Sequence, residues 1–185
     1  GTGTPIVRPA AFPDQVDYEG ELCVVIGKPC YEVRAKDAWQ YVAGYTLLND
    51  VSARDYLPDV VAASTAVQGR WAWTDNLVAK QFPTFGPIGP AVLTIDEVDD
   101  LSALRLTTAV NGATVQDTLL ADLAFDVPHL IEQFSAYFAF QPGDIISTGS
   151  PAGVGAAKKP PVYLQSGDVV TVAVDEIGAL TNSVV

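Results

Sequence analysis

Short β-prone runs broken by glycine and proline limit what this chain can fold into. Glu21 to Ile26, Tyr41 to Leu48, Leu104 to Val110 and Val169 to Val174 are apolar and strand-like. The 15 glycines and 13 prolines fall largely between such runs, where turns need them. Asn111-Gly112 joins two of the runs and supplies the two positive-φ residues of a tight hairpin. The run at 169–174, with Ile177 and Leu180 beyond it, predicts a closing strand or hairpin. A short helix is expected around Asp37 to Gln40. One clear helix is expected after Asp126, which can cap it: Pro128 suits its first turn, and Leu130, Ile131, Phe134 and Phe138 recur at helical spacing. Pro142-Gly143-Asp144 and Ser166-Gly167-Asp168 read as two similar turns feeding strands. The expectation is an α+β, mainly β fold with few short helices.

Charge narrows the partners. Ten basic against 22 acidic residues give a net charge of −12, which disfavours nucleic acid and favours cations. No apolar run reaches the roughly 20 residues of a membrane span. The chain has no methionine and starts at Gly1. Residues 1–15 therefore read as a linker or the remnant of a missing N-terminal segment, and 16–185 as one domain. Cys23 and Cys30 lack metal-site spacing with a histidine and read as small core residues in a reducing, cytoplasmic setting.

Glu19 and Glu21 open the first strand-like run one residue apart. On a strand they share a face, on the order of 7 Å apart along the chain. Carboxylates so close repel unless a positive charge lies between them, and rigid oxygen ligands suit a hard divalent cation. A solvent-facing Glu-x-Glu would look the same in isolation. Asp50 stands where the next strand ends, followed by Arg54 and Asp55. Lys80 is the only lysine between Lys36 and Lys158 and precedes a stiff Pro/Gly-rich segment. The segment from Ser147 to Gly155 is rich in hydroxyls and backbone donors. It could hold a carboxylate or be a plain turn.

Taken in order, Glu19-x-Glu21-Leu22 with Val25-Ile26-Gly27-Lys28, and Gly44-Tyr45-Thr46 through Asn49-Asp50-x-Ser52-Ala53-Arg54-Asp55, resemble the fumarylacetoacetate hydrolase family. The resemblance continues through Lys80 with Phe85-Gly86-Pro87-Ile88-Gly89-Pro90, Val110-Asn111-Gly112 with Gln116, Pro142-Gly143-Asp144, and Thr148 to Gly155. It runs from about Val16 to the C-terminus. It implies a mixed β-sandwich roll, usually a homodimer, with Mg²⁺ or Mn²⁺ (Ca²⁺ being the other candidate) held by Glu19, Glu21 and Asp50. It implies 1,3-diketo or 2-oxo acid substrates, as in catabolism of aromatic compounds. Lys80 would then set positive charge beside a developing oxyanion, and Arg54 would order Asp50 or the substrate carboxylate. Thr148, Gly149 and Ser150 would bind substrate.

Two departures stand out. Leu57 occupies the place of a substrate-contacting glutamine found in many members, and Ser150 replaces a usual threonine. Hydrolytic members activate water with a His-Glu pair, whereas the one histidine here, His129, opens the helix after Asp126. C–C bond hydrolysis is the leading expectation. Oxaloacetate-type decarboxylation or hydroxydienoate isomerisation is the alternative, and a non-catalytic metal-binding β-domain is the competing class. That last reading would place Asp50 more than about 10 Å from both glutamates, outside the reach of a shared ion.

Overall fold

A computed structural model describes the backbone of residues 1–185 and every side chain except Tyr56, Leu57, Asp75 and Asn76. Leu57, one of the two departures noted above, thus lies outside the described side chains. In chain order the strands are β1 (Val16–Asp17), β2 (Gly20–Ile26), β3 (Val42–Asn49), β4 (Ser52–Ala53), β5 (Ile88–Thr94), β6 (Arg105–Val110), β7 (Ala113–Leu119), β8 (Ile145–Ser147), β9 (Val169–Val174) and β10 (Gly178–Ser183). The α-helices are α1 (Leu57–Ala62), α2 (Ala66–Val78) and α3 (Val127–Ser135).

Alternation along these strands builds two sheets that face each other. One has the order β5-β3-β2-β8 and the other β10-β9-β6-β7, with β1-β4 as a separate pair. Every paired strand is antiparallel, and the parallel contact is the isolated bridge between Ile6 and Val184. Leu22, Val24, Tyr45 and Leu47 of one sheet and Leu106, Val172, Val174 and Leu180 of the other are buried in one core cluster. The opposite faces of β2 and β3 are left to carry polar groups. The mainly β fold expected from the sequence is what forms.

Local chemistry explains most elements. Asn111 and Gly112 adopt φ of 51° and 79° in the β6–β7 hairpin, and β9 and β10 form the closing hairpin. The Asp126 carboxylate accepts the His129 N–H and caps α3, with Pro in its first turn. The short helix expected near residue 38 is a 3-10 turn over Ala35–Tyr41. The two Gly-Asp turns share one geometry. Gly143 and Gly167 have φ of 94° and 95°, and Asp144 and Asp168 each accept an N–H at 2.7 Å, from Gln141 and Gln165. Helices α1 and α2 were not anticipated. Residues 1–8, read as linker, instead dock along the β10 edge. Ile6 is fully buried, and it exchanges backbone hydrogen bonds with Ser183 and Val185. No described helix is long and apolar enough to cross a membrane.

Gly20, between the two glutamates, lets the two sheets come close. A Cβ there would lie 2.0 Å from Thr108 Oγ1 and 3.2 Å from Val172 Cγ1. Both neighbours belong to the second sheet, and Thr108 is fully buried. Gly20→Ala should therefore cost about 1–3 kcal/mol through overpacking, measurable by urea denaturation. An unchanged midpoint would contradict this packing.

Candidate metal centre

Register places the acidic groups. Gly20 lies opposite Asn49 and Glu21 opposite Leu48. The Asn49 side-chain oxygen accepts the Glu19 N–H at 3.0 Å, and the Asp50 N–H donates to the Glu19 carbonyl at 2.8 Å. The start of β2 is thus clamped to the end of β3, and carboxylates about 30 residues apart in sequence converge. One oxygen from each of Glu19, Glu21 and Asp50 lies within 4.8 Å of the others. The separation of more than about 10 Å that a non-catalytic domain would show is not found.

Two cations organise these acids. Lys80 follows α2, whose end is docked by the Ala53 N–H donating to the Ala79 carbonyl at 3.1 Å. From there its ammonium donates to Glu19 at 2.8 Å and to Asp50. Arg54, at the end of β4, donates to Glu19 and, at 3.0 Å, to Asp17. The sequence reading paired Arg54 with Asp50 or a substrate carboxylate. The structure pairs it with Glu19 and Asp17 rather than with Asp50, because its side chain turns back toward β1.

Asp17 is a positioning residue that the sequence reading passed over. It is fully buried, accepts Arg54, and also accepts the N–H groups of Gly155 and Ala156 at 2.8 and 2.9 Å. It therefore joins the 147–155 loop to the arginine that holds Glu19. The signal was present in Asp17-x-Glu19-x-Glu21, an acidic alternation that starts one step before the glutamates. Gln116, also buried, accepts the Gly20 N–H at 3.0 Å and donates to Ser150 Oγ and the Pro151 carbonyl, both at 2.9 Å.

The expected substrate loop sits beside this cluster. Ser147 donates to Glu21. Thr148 spends its hydroxyl and its amide on the Leu22 carbonyl, both at 3.0 Å. Gly149 takes φ of 89° to turn the chain, and the Ser150 hydroxyl is held by Gln116. Thr148, Gly149 and Ser150 line a cavity of about 210 Å³ together with Leu106, Leu119 and Leu123, and none of the three carboxylates is among its lining residues. Cys23 lies fully buried under the cluster, and burial pushes its thiol up to about 12, so it stays protonated. His129 is engaged elsewhere, its ring bonded to Asp126 at 2.6 Å on the surface.

Electrostatics say what the donor set fits. Four carboxylates (Asp17, Glu19, Glu21 and Asp50) meet two cations (Arg54 and Lys80), leaving an excess of two negative charges. Burial pushes Glu21 up to about 7; the Ser147 hydrogen bond opposes this, while the charges of Asp50 and Glu19 add to it. Asp50 is also raised, again chiefly by burial, against the pull of Lys80. Burial lowers the Lys80 ammonium, but its bonds to Asp50 and Glu19 outweigh that and leave it raised and charged. An all-oxygen cluster short of two positive charges fits a hard divalent ion, which Glu19, Glu21 and Asp50 would hold.

A β-sandwich that presents carboxylates from two adjoining strands around such a cluster defines a class of domain able to hold a metal ion. Within that class the chain belongs to the fumarylacetoacetate hydrolase family: the model of the family's C-terminal region matches residues 1–185. The chain is 43% identical over 171 residues to the mitochondrial oxaloacetate tautomerase FAHD2B of Homo sapiens, covering 92% of this chain and 51% of that protein. A crystal structure of 5-carboxymethyl-2-hydroxymuconate delta-isomerase from Mycobacterium smegmatis superposes with a TM-score of 0.82 at 39% identity, covering 100% of this chain and 64% of that one. Maleylpyruvate hydrolase from Sphingobium sp. SYK-6, solved with manganese(II) and pyruvate, gives 0.81 at 32% identity over 98% of this chain and 59% of that one. The chain thus spans between half and two thirds of the length of these relatives. By their names, these family members are enzymes.

The raised Glu21 predicts a pH-dependent stability. Its ordinary value of 4.5 rises to about 7 in the fold, so the folded state favours the protonated acid. In EDTA this contribution is complete below about pH 4.5 and is lost as pH rises through 7, on the order of 3 kcal/mol. Manganese at pH 8 should restore the melting temperature, and Glu21→Gln should flatten the pH dependence. Stability that climbs between pH 5 and 8 in EDTA would contradict this account of the cluster.

Proposed function

We propose that this chain is the catalytic domain of a divalent-cation-dependent enzyme acting on small 2-oxo or 1,3-diketo acids, with keto–enol tautomerisation of an oxaloacetate-type acid as its reaction. The observation that carries the reading is the convergence of Glu19, Glu21 and Asp50 within 4.8 Å beside the Lys80 ammonium. An ion held by the three carboxylates would supply Lewis-acid stabilisation of an enolate oxygen.

This chain's own groups supply the rest. Lys80 keeps its proton on Nζ and offers it as a hydrogen bond to negative charge that grows on the substrate oxygen, in a site only about a quarter exposed. Arg54 fixes Glu19 by one fork and is itself fixed by Asp17, so the cluster is set before substrate arrives. Ser147 orients Glu21. Thr148, Gly149 and Ser150 form the wall proposed to receive the rest of the substrate. Magnesium or manganese is the proposed ion, and calcium would occupy the same oxygens with weaker polarising power. A homodimer is the proposed assembly. The two buried free cysteines suit a reducing compartment, the cytoplasm or, as in the human relative's name, the mitochondrion.

The second reading is C–C bond hydrolysis of an acylpyruvate, which the hydrolase among the structural relatives supports. Hydrolysis also needs a base to activate water within hydrogen-bond reach. The imidazole of His129 is bonded to Asp126 on α3. Tautomerisation needs no activated water, only a group that passes a proton between the enol oxygen and the neighbouring carbon, and the oxaloacetate tautomerase among the relatives supports placing it first.

Steady-state assays that follow oxaloacetate enol–keto exchange, pyruvate release from oxaloacetate and pyruvate release from acylpyruvates separate these readings. Exchange should exceed both releases, vanish in EDTA and return with manganese. Lys80→Met should lower kcat about 100-fold, while manganese affinity by titration stays level or tightens, since Lys80 competes for the same oxygens. Turnover that survives chelation would remove the cation from the mechanism. An unchanged kcat in Lys80→Met would remove the lysine.

A further inference from the structure

A second cavity, of about 490 Å³, opens on the other side of the β5-β3-β2-β8 sheet. Side chains of paired strand residues share a face, so Tyr45, opposite Val24, points away from Glu21 and its partner Leu48. The cavity is therefore separate from the carboxylate cluster. Its volume falls in the range of small-molecule sites, about 300–1,000 Å³.

Its lining has three chemically distinct zones. Trp39, Ile95, Leu101, Leu120 and Leu123 give an apolar body. Asp99, Asp100 and Asp126, all exposed, add carboxylates to its lining. Asp99 has no ion-pair partner among the described residues, Asp100 accepts the Ser102 N–H and hydroxyl through one oxygen, and Asp126 accepts the His129 N–H and meets its ring through one oxygen. Tyr45 is the third zone. It is 1% exposed, lines the cavity, and its hydroxyl bonds no described residue. The ring is buried while the hydroxyl is reached only from the cavity, so whatever occupies the cavity is what this phenol can pair with. Burial pushes this phenol up to about 12, which leaves it a proton to donate.

We propose that this cavity binds a small primary amine on an aromatic body whose far end carries a hydroxyl. The ring packs between Trp39 and the leucines. The distal hydroxyl pairs with Tyr45, and the ammonium meets the three aspartates. Anionic ligands are turned away by those carboxylates and by the chain's net charge of −12. The site shares Leu120 and Leu123 with the wall of the 210 Å³ cavity, but its ligand takes no part in the keto-acid chemistry, so either reading can fail without the other.

Titration calorimetry on the chain in EDTA, with tyramine, phenethylamine and 3-(4-hydroxyphenyl)propionate as probes, tests the proposal. Tyramine should bind saturably, phenethylamine about tenfold more weakly, and the propionate not at all over the same range. Tyr45→Phe, which keeps the ring, should bring the two amines to equal affinity. Asp99→Asn combined with Asp100→Asn should weaken both about tenfold. No saturable tyramine binding, binding of the propionate at equal strength, or a tyramine preference that survives Tyr45→Phe would each overturn the assignment. Tyramine binding that fades as protein concentration rises would overturn it too, since a second copy would then own the surface. The comparison of probes on the unaltered chain stands even if a variant does not fold.

Discussion

Repulsion among carboxylates is the constraint around which this structure is arranged. Glu19, Glu21 and Asp50 are brought within 4.8 Å of one another in a largely buried setting, where like charges cannot all stay ionised without compensation. Lys80 bridges Glu19 and Asp50, and Arg54 joins Glu19 to Asp17, which offsets part of the conflict. The remainder falls on Glu21, which lacks a direct cationic partner among the described residues and is raised to about 7. Such a cluster is costly to maintain for stability alone. It makes sense where a cation completes it.

The sandwich exists to hold that cluster still. Gly20 lets the second sheet come close behind the two glutamates, and the Asn49 and Glu19 hydrogen bonds lock β2 against β3. Asp17 and Gln116 then tie the 147–155 loop back to the same strand from two directions. The loop's hydroxyls are largely spent on these ties. What the loop would present to a substrate is therefore a shaped wall carrying few free donors, and on the proposed reading charge recognition would fall to Lys80 and to an ion held by the carboxylates.

Strand runs and turn chemistry made much of the fold readable from sequence, because their information is local. The Asn111-Gly112 hairpin, the 169–183 hairpin and the Asp126 cap follow from residues within a few positions of one another. Helix α2 carries no such pattern. Gly69 interrupts it, and Trp71, Trp73 and Leu77 are exposed rather than forming a buried stripe. The docking of residues 1–8 was equally hidden, since Ile6 meets its partner Val184 at the far end of the chain. In the site, the three carboxylates and Lys80 were legible through a recognisable order of motifs. The partners of Arg54, the role of Asp17 and the grip of Ser147 on Glu21 were not, because each is a contact between distant segments that only register decides. Tyr45 reads as plain core in the sequence, and its unmatched hydroxyl becomes visible only with the cavity in front of it.

Anomalous diffraction at the manganese edge, on crystals grown in manganese, tests the central claim most directly. The account predicts one strong peak within bonding distance of oxygens from Glu19, Glu21 and Asp50, with Lys80 displaced from at least one of them. A difference map with no peak there, or a manganese bound elsewhere while Lys80 still bridges Glu19 and Asp50, would contradict it.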